Sequence, residues 1–317
     1  CEQTCDFCTV PLLGRPDLGK LRFDVETTLD YVQALMKAGV RTISFIDDQF
    51  LIDILYPGGM EKLIYFCDTL RSWGLAWVFG NGLQISKFCE NLGITQDQAD
   101  RDPYYKSRVV DLTKAGTPPI LGSYKLNERL VKSVLGWEPE RIGCDGTPGV
   151  GCTALYNPLE DLIGGEKARG MRKLLPLDHV LNIIPEIYQV SGMEKGTAGL
   201  MVGRAGETAQ HMQANFIAAL ELKTSMLELG VEYIGTPFGL VIASGTTAAR
   251  HMYRQLEKLG VLQDYLPHPE ILNNFWTPKP NEHMTAREIA DGQQAFFHLF
   301  NMDIKFDRPW HSMGRLN

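Results

Sequence analysis

The feature that most constrains this chain is a regular alternation of helix-like and strand-like segments. From Glu26 to Ala38, Leu29, Val32, Leu35 and Met36 share one helical face, and the pattern stops at Gly39, a common helix terminator. Arg41 to Ile46 then reads as a buried strand. Residues 60–73 place Leu63, Ile64, Cys67 and Leu70 on one face before Gly74 and the strand-like Leu75 to Phe79. A helix from Tyr105 to Ala115 precedes a short strand, Pro119 to Gly122, and a further helix runs from Leu126 to Leu135. The rhythm breaks over 136–176, a segment rich in Gly and Pro without a clear period, read as an insertion. It resumes with helix 178–190, strand 197–203, helix 207–229, strand 231–242 and helix 247–259. Such alternation implies an α/β fold with a mostly parallel sheet covered by helices.

Five strands are countable and each follows a helix, whereas the chain opens on a cysteine loop leading into a helix. A βα unit has a strand first, so a strand is expected upstream of Cys1, giving six. The absence of an initiator Met fits this reading of the chain as a fragment. The expected organisation is one core over 1–263 and a proline-marked extension over 264–317 with a helix at 285–300.

Composition narrows the function classes. With 317 residues, 44% hydrophobic and 22% charged, the chain has the makings of a full globular core. Its 31 Lys+Arg against 38 Asp+Glu give a net charge of −7 with no basic block, which argues against duplex nucleic acid as a partner. No apolar run approaches the ~20 residues of a membrane span, and the N-terminus lacks the pattern of a signal peptide.

Three of the seven cysteines fall within the first eight residues, as Cys1-x-x-x-Cys5-x-x-Cys8. The other four, Cys67, Cys89, Cys144 and Cys152, are scattered and make a poor disulfide framework. Metal-bound thiolates in a reducing cytoplasm fit better. Structural zinc and an iron–sulfur cluster both suit such ligands. Zinc in a closed site takes four, and no fourth Cys or His lies nearby. A [4Fe–4S] cluster on three cysteines leaves one iron open to a ligand.

The loop, with Phe7 immediately before the third cysteine, resembles the signature of the radical S-adenosylmethionine (radical SAM) superfamily. The likeness covers about residues 1–260. It implies a partial (β/α)6 barrel with its first strand upstream, a [4Fe–4S] cluster on Cys1, Cys5 and Cys8, and SAM chelated at the open iron. Reductive cleavage of SAM would then yield a 5′-deoxyadenosyl radical for hydrogen abstraction. Further members of the implied site stand at strand ends. Asp47-Asp48-Gln49 ends strand 41–46, where Asp48 either meets the methionyl ammonium or caps the next helix. Asn81 ends the next strand or serves its turn. Gly122 and Ser123 stand where family members contact the SAM ribose and carboxylate, with Tyr124 and Lys125 replacing a usual Glu-Ser pair. Gly203-Arg204-Ala205-Gly206-Glu207-Thr208 resembles a Gly-x-Pro-Gly-Glu-Thr turn. There Arg204 would contact the SAM carboxylate, while Glu207 and Thr208 are expected to serve the following helix. Ser244 begins a Ser-Gly-Thr turn at the last strand, suited to an anion or to a plain strand–helix junction.

Within the superfamily, Cys8-Thr9-Val10-Pro11, Gly14-Arg15 and Phe45 to Phe50 look most like the subgroup with an upstream cobalamin-binding domain, whose members methylate carbons or rearrange rings. The implied partners are a small-molecule or peptide substrate and an electron donor such as flavodoxin or ferredoxin. A methylthiotransferase acting on tRNA or a ribosomal protein is the second enzymatic reading, weakened by the lack of a basic tail. A non-catalytic metal module is the competing class.

Overall fold

The computed structural model describes residues 24–46, 50–51, 57–80, 82–83, 85–92, 124–160, 177–204, 206–239, 247–267 and 279–303. In chain order the elements are α1 (Val25–Lys37), β1 (Thr42–Phe45), α2 (Gly59–Ser72), β2 (Ala76–Phe79), β3 (Cys89–Leu92), β4 (Tyr124–Leu126), α3 (Glu128–Leu135), β5 (Trp137–Ile142), β6 (Pro148–Glu160), α4 (Leu177–Ser191), β7 (Lys195–Val202), α5 (Ala209–Glu228), β8 (Glu232–Gly239), α6 (Thr247–Lys258), α7 (Leu262–Tyr265) and α8 (Ala286–Phe300). The helices begin where side chains satisfy their first amides. Asp24 accepts from Thr27 N, Asn127 from Leu130 N and Thr208 from His211 N, and Thr285 and Glu288 form a reciprocal capping box.

Strands β1, β2, β6, β7 and β8 pair in that order and all run parallel, so the order of these five strands never reverses. Right-handed crossovers between strands ordered this way place every connecting helix on one face. The contacts agree. Phe45 packs edge-on against Phe66 of α2 and stacks on Phe79, Trp77 donates to Val134 O at the end of α3, and Asn157 donates to the Tyr188 hydroxyl of α4. Because side chains alternate across a strand, Ser44, Val78, Ala154, Tyr156, Thr197 and Thr236 project from the opposite face, where they are half-buried or exposed. Trp77, Tyr188, Tyr233, Phe66, Phe79 and Phe296 are fully buried on the helix side. Each such side chain contributes about 1.5–3 kcal/mol of apolar burial.

The segment read as an unpatterned insertion holds β5 and β6, and β6 lies mid-sheet between β2 and β7. Its glycines are close-approach positions. Gly149 and Gly151 have φ of +112° and +108°; a Cβ at Gly149 would enter the Trp137 ring, and one at Gly151 would strike the Gly136 carbonyl oxygen. The antiparallel β5 can therefore fold back against the first half of β6. Among the described residues the third parallel strand is thus 148–160. The strand expected at 119–122 lies outside the described residues, and the segment right after it, β4, pairs with β3 in a separate two-stranded sheet.

At the start of β2, Arg71 ties helix ends to the sheet. Its Nη2 donates to Lys132 O (2.9 Å), Ser133 O (2.9 Å) and Gly136 O (3.1 Å), while Nη1 meets Asp68 and Nε meets Glu138. Its guanidinium also lies over the Trp77 ring. The last carbonyls of α3, which have no partner within the helix, are thereby satisfied.

The extension is built into the fold. Strand β8 presents its outer edge to α8, where the Asn301 amide donates to Gly235 O and accepts from Gly235 N, each at 2.8 Å. Lys223 of α5 donates to Tyr233 O on the same edge, pairs with Asp303 at 3.0 Å and lies against the Phe300 ring. Gly235 leaves room for Phe300, which a Cβ there would strike. Among the described residues no helix is long and apolar enough to cross a membrane.

Candidate functional site

In parallel α/β sheets, ligand sites gather at the carboxyl ends of the strands, where the strand-to-helix turns converge. Of the residues proposed from sequence, Cys1, Cys5, Phe7, Cys8, Asp47, Asp48, Gln49, Asn81, Gly122, Ser123 and Ser244 lie outside the described residues. Arg204 is described, and the structure places it at the carboxyl end of β7, on the turn that leads into α5.

The turn is assembled around a buried carboxylate. Glu207, with a side chain 1% exposed, accepts from Gly203 N at 2.6 Å and Arg204 N at 3.2 Å through Oε2. Its Oε1 lies 3.5 Å from Arg204 Nη2. Burial pushes the Glu207 carboxyl above the usual glutamate range, against the opposing pull of Arg204, the two backbone amides and His211. Glu207 is therefore occupied in shaping the turn, and Thr208 caps α5 by accepting from His211 N at 3.1 Å. Thr208 thus takes the capping role expected of it, whereas Glu207 serves the turn and not the helix, its carboxylate meeting the upstream amides of Gly203 and Arg204. Gly203 has φ +76°, and a Cβ there would lie 3.2 Å from Ile289 of α8. Only glycine meets both demands without strain.

The extension supplies the outer wall. Asn281, 3% exposed, donates from Nδ2 to Arg204 O (2.8 Å) and Glu207 O (2.9 Å). Its Oδ1 accepts from His283 N and Met284 N, each at 2.8 Å. Two residues earlier Lys279 is buried, and desolvation pushes its ammonium down to about 8. On the face opposite the connecting helices, Tyr156 of β6 leans along the sheet over Gly199 of β7, whose missing side chain makes room for the phenol.

Asn281, Lys279 and Tyr156 were not singled out in the sequence. Asn281 sits 74 residues from Glu207 in a proline-flanked stretch without periodicity, so no local signal marks it. Tyr156 lies where glycines and prolines hide the strand alternation. Gly122-Ser123 leads directly into β4, where Tyr124 bonds Glu186 of α4 and is pushed up to about 12, chiefly by burial. Lys125 on the same strand pairs with Glu90 at 2.5 Å.

Among the described residues, no three of His, Cys, Asp and Glu come together as a metal site. The four later cysteines are free: Cys67, Cys89 and Cys152 are buried, and Cys144 is exposed. Burial holds the Cys67 and Cys152 thiols far up, which disfavours the thiolate that metals bind. No known family model matches the chain, and no curated protein matches it significantly.

Proposed function

We propose that the chain is the core of a radical SAM enzyme. The observation that carries this reading is the Cys1-x-x-x-Cys5-x-x-Cys8 loop with Phe7, followed by parallel strands whose order never reverses and whose helices share one face. That topology suits a partial (β/α)6 barrel whose first strand precedes Cys1. In this reading Cys1, Cys5 and Cys8 hold a [4Fe–4S] cluster, which when bound supplies the electron that splits SAM into methionine and a 5′-deoxyadenosyl radical. Arg204 meets the SAM carboxylate, and Asp48 its ammonium. Phe7, Asp47, Gln49, Asn81, Gly122, Ser123 and Ser244 line the rest of the cofactor's surroundings. An electron donor of the flavodoxin or ferredoxin kind and a small-molecule or peptide substrate complete the reaction in a reducing cytoplasm. Within the superfamily we assign the chain to the cobalamin-dependent subgroup, with methyl transfer or rearrangement as its chemistry.

The chemistry of the donor set supports the reading. A buried arginine at a strand end, on a turn shaped by its own carboxylate, suits a ligand carboxylate. Anaerobic reconstitution with iron and sulfide tests it. The expected result is about four irons per chain, an EPR signal that changes on adding SAM, and 5′-deoxyadenosine formed under reduction. Stoichiometric zinc, with no deoxyadenosine above a Cys5→Ala control, would overturn the proposal in favour of a structural metal module.

A further inference from the structure

The turn carrying Arg204 is gripped from two sides. From within, Glu207 accepts from the amides of Gly203 and Arg204; from outside, Asn281 donates to the carbonyls of Arg204 and Glu207. All four hydrogen-bonding positions of the Asn281 amide are used, with its oxygen facing two N–H groups and its nitrogen facing two carbonyls. That pattern fixes the orientation of the amide. The Asn281 backbone N–H donates in turn to Met284 O, which makes residues 281–284 a closed turn. Gln255 of α6 meets Glu282, its amide oxygen accepting from Glu282 N and its nitrogen donating to Glu282 Oε2, each at 2.9 Å, which holds the same stretch from the other flank. The extension thus reaches the backbone of the one described residue expected to face a ligand, and it does so through a single side chain.

We propose that Asn281 is a positioning residue: it makes the placement of the Arg204 guanidinium toward a ligand carboxylate depend on the C-terminal extension. The inference rests on the radical SAM reading for the identity of the ligand, the carboxylate of SAM. A ligand-facing arginine is only as well placed as the main chain beneath it, and an error of about 1 Å in a positioned group costs about a hundredfold in favourable cases. Asparagine suits the task because its nitrogen donates twice while its oxygen keeps the turn of residues 281–284. Aspartate would set a carboxylate against the carbonyls of Arg204 and Glu207.

The test uses the full chain with its cluster reconstituted, and compares binding of SAM with binding of decarboxylated SAM. Asn281→Asp is expected to weaken SAM about tenfold and to leave decarboxylated SAM unchanged. In an Arg204→Ala background the same change should add nothing, because the group it positions is gone. Equal weakening of both ligands, or additive effects of the two substitutions, would overturn the proposal. Asn281→Ala gives a second variant should the aspartate fail to fold. Hydrogen exchange reads the clamp without any ligand: the Gly203 and Arg204 amides should exchange about tenfold faster in Asn281→Ala. Unchanged exchange would overturn the clamp itself. Faster exchange in Asn281→Ala, together with a wild-type chain that binds no SAM, would instead locate the failure in the radical SAM reading.

Discussion

The two ends of the sheet each carry a nearly buried arginine, and they hold it in opposite ways. Arg71, at the amino end of β2, has a side chain 13% exposed and is fixed by its guanidinium, which spans three carbonyls, two carboxylates and an indole face. Arg204, at the carboxyl end of β7, is 11% exposed; its main chain is gripped at N by Glu207 and at O by Asn281, and its guanidinium lies 3.5 Å from the Glu207 carboxylate. The guanidinium of Arg71 ties separate elements together, whereas the backbone of Arg204 is clamped within one turn. The contrast separates a cation held by its side chain from one whose main chain is gripped from two sides, although exposure alone would rank them as equals.

The largest effect should come from Arg71→Ala. It takes away the guanidinium donor of Ser133 O, one of two donors from each of Lys132 O and Gly136 O, and the cation of Asp68, while Glu138 keeps Arg141, so a loss of about 3 kcal/mol is expected from urea unfolding. Arg204→Ala should cost less, about 2 kcal/mol: it takes the cation from the buried Glu207, but that carboxyl keeps the amides of residues 203 and 204, and Asn281 still holds the turn through its backbone. Losses of equal size at the two sites would break the contrast.

The smallest effect is a slope. Lys279 has a folded value of about 8, below the ordinary lysine value of 10.5. Between those pH values the unfolded chain binds more protons at this residue than the folded one, so stability attributable to it rises as pH rises. Below about 8 both states are charged and the burial penalty is fully present. Lys279→Met should remove that rise, read as the difference between wild-type and variant melting temperatures at pH 7.5 and pH 10. A parallel dependence in both proteins would show that Lys279 is not the group responsible.

Much of the fold was legible because amphipathic helices ending at glycine and short apolar strands announce themselves by periodicity. Helix α1, read at 26–38, lies at Val25–Lys37; α2, read at 60–73, lies at Gly59–Ser72; β8, read at 231–242, lies at Glu232–Gly239. Strand β6 escaped the same reading because the close packing of β5 demands glycine at 149 and 151. Those residues score as turn formers although here they permit a strand pairing. The candidate site was legible at Arg204, Glu207 and Thr208, where a compact turn motif joins strand to helix. Asn281 was not, since its partners are brought to it by tertiary folding, which local spacing does not encode.

The Asn301 amide has a consequence beyond the packing of α8. It occupies the outer edge of β8 in the way a neighbouring strand would, meeting both the N–H and the C=O of Gly235. Sheets in solution must disguise such edges or risk recruiting another chain. Here the disguise is Lys223 on Tyr233 O and Asn301, at the close of the last helix, on Gly235, so a shortened version ending before residue 300 would uncover part of a sticky parallel border. The final helix is in that sense a guard against self-association, and the smallest soluble version of this protein should include it.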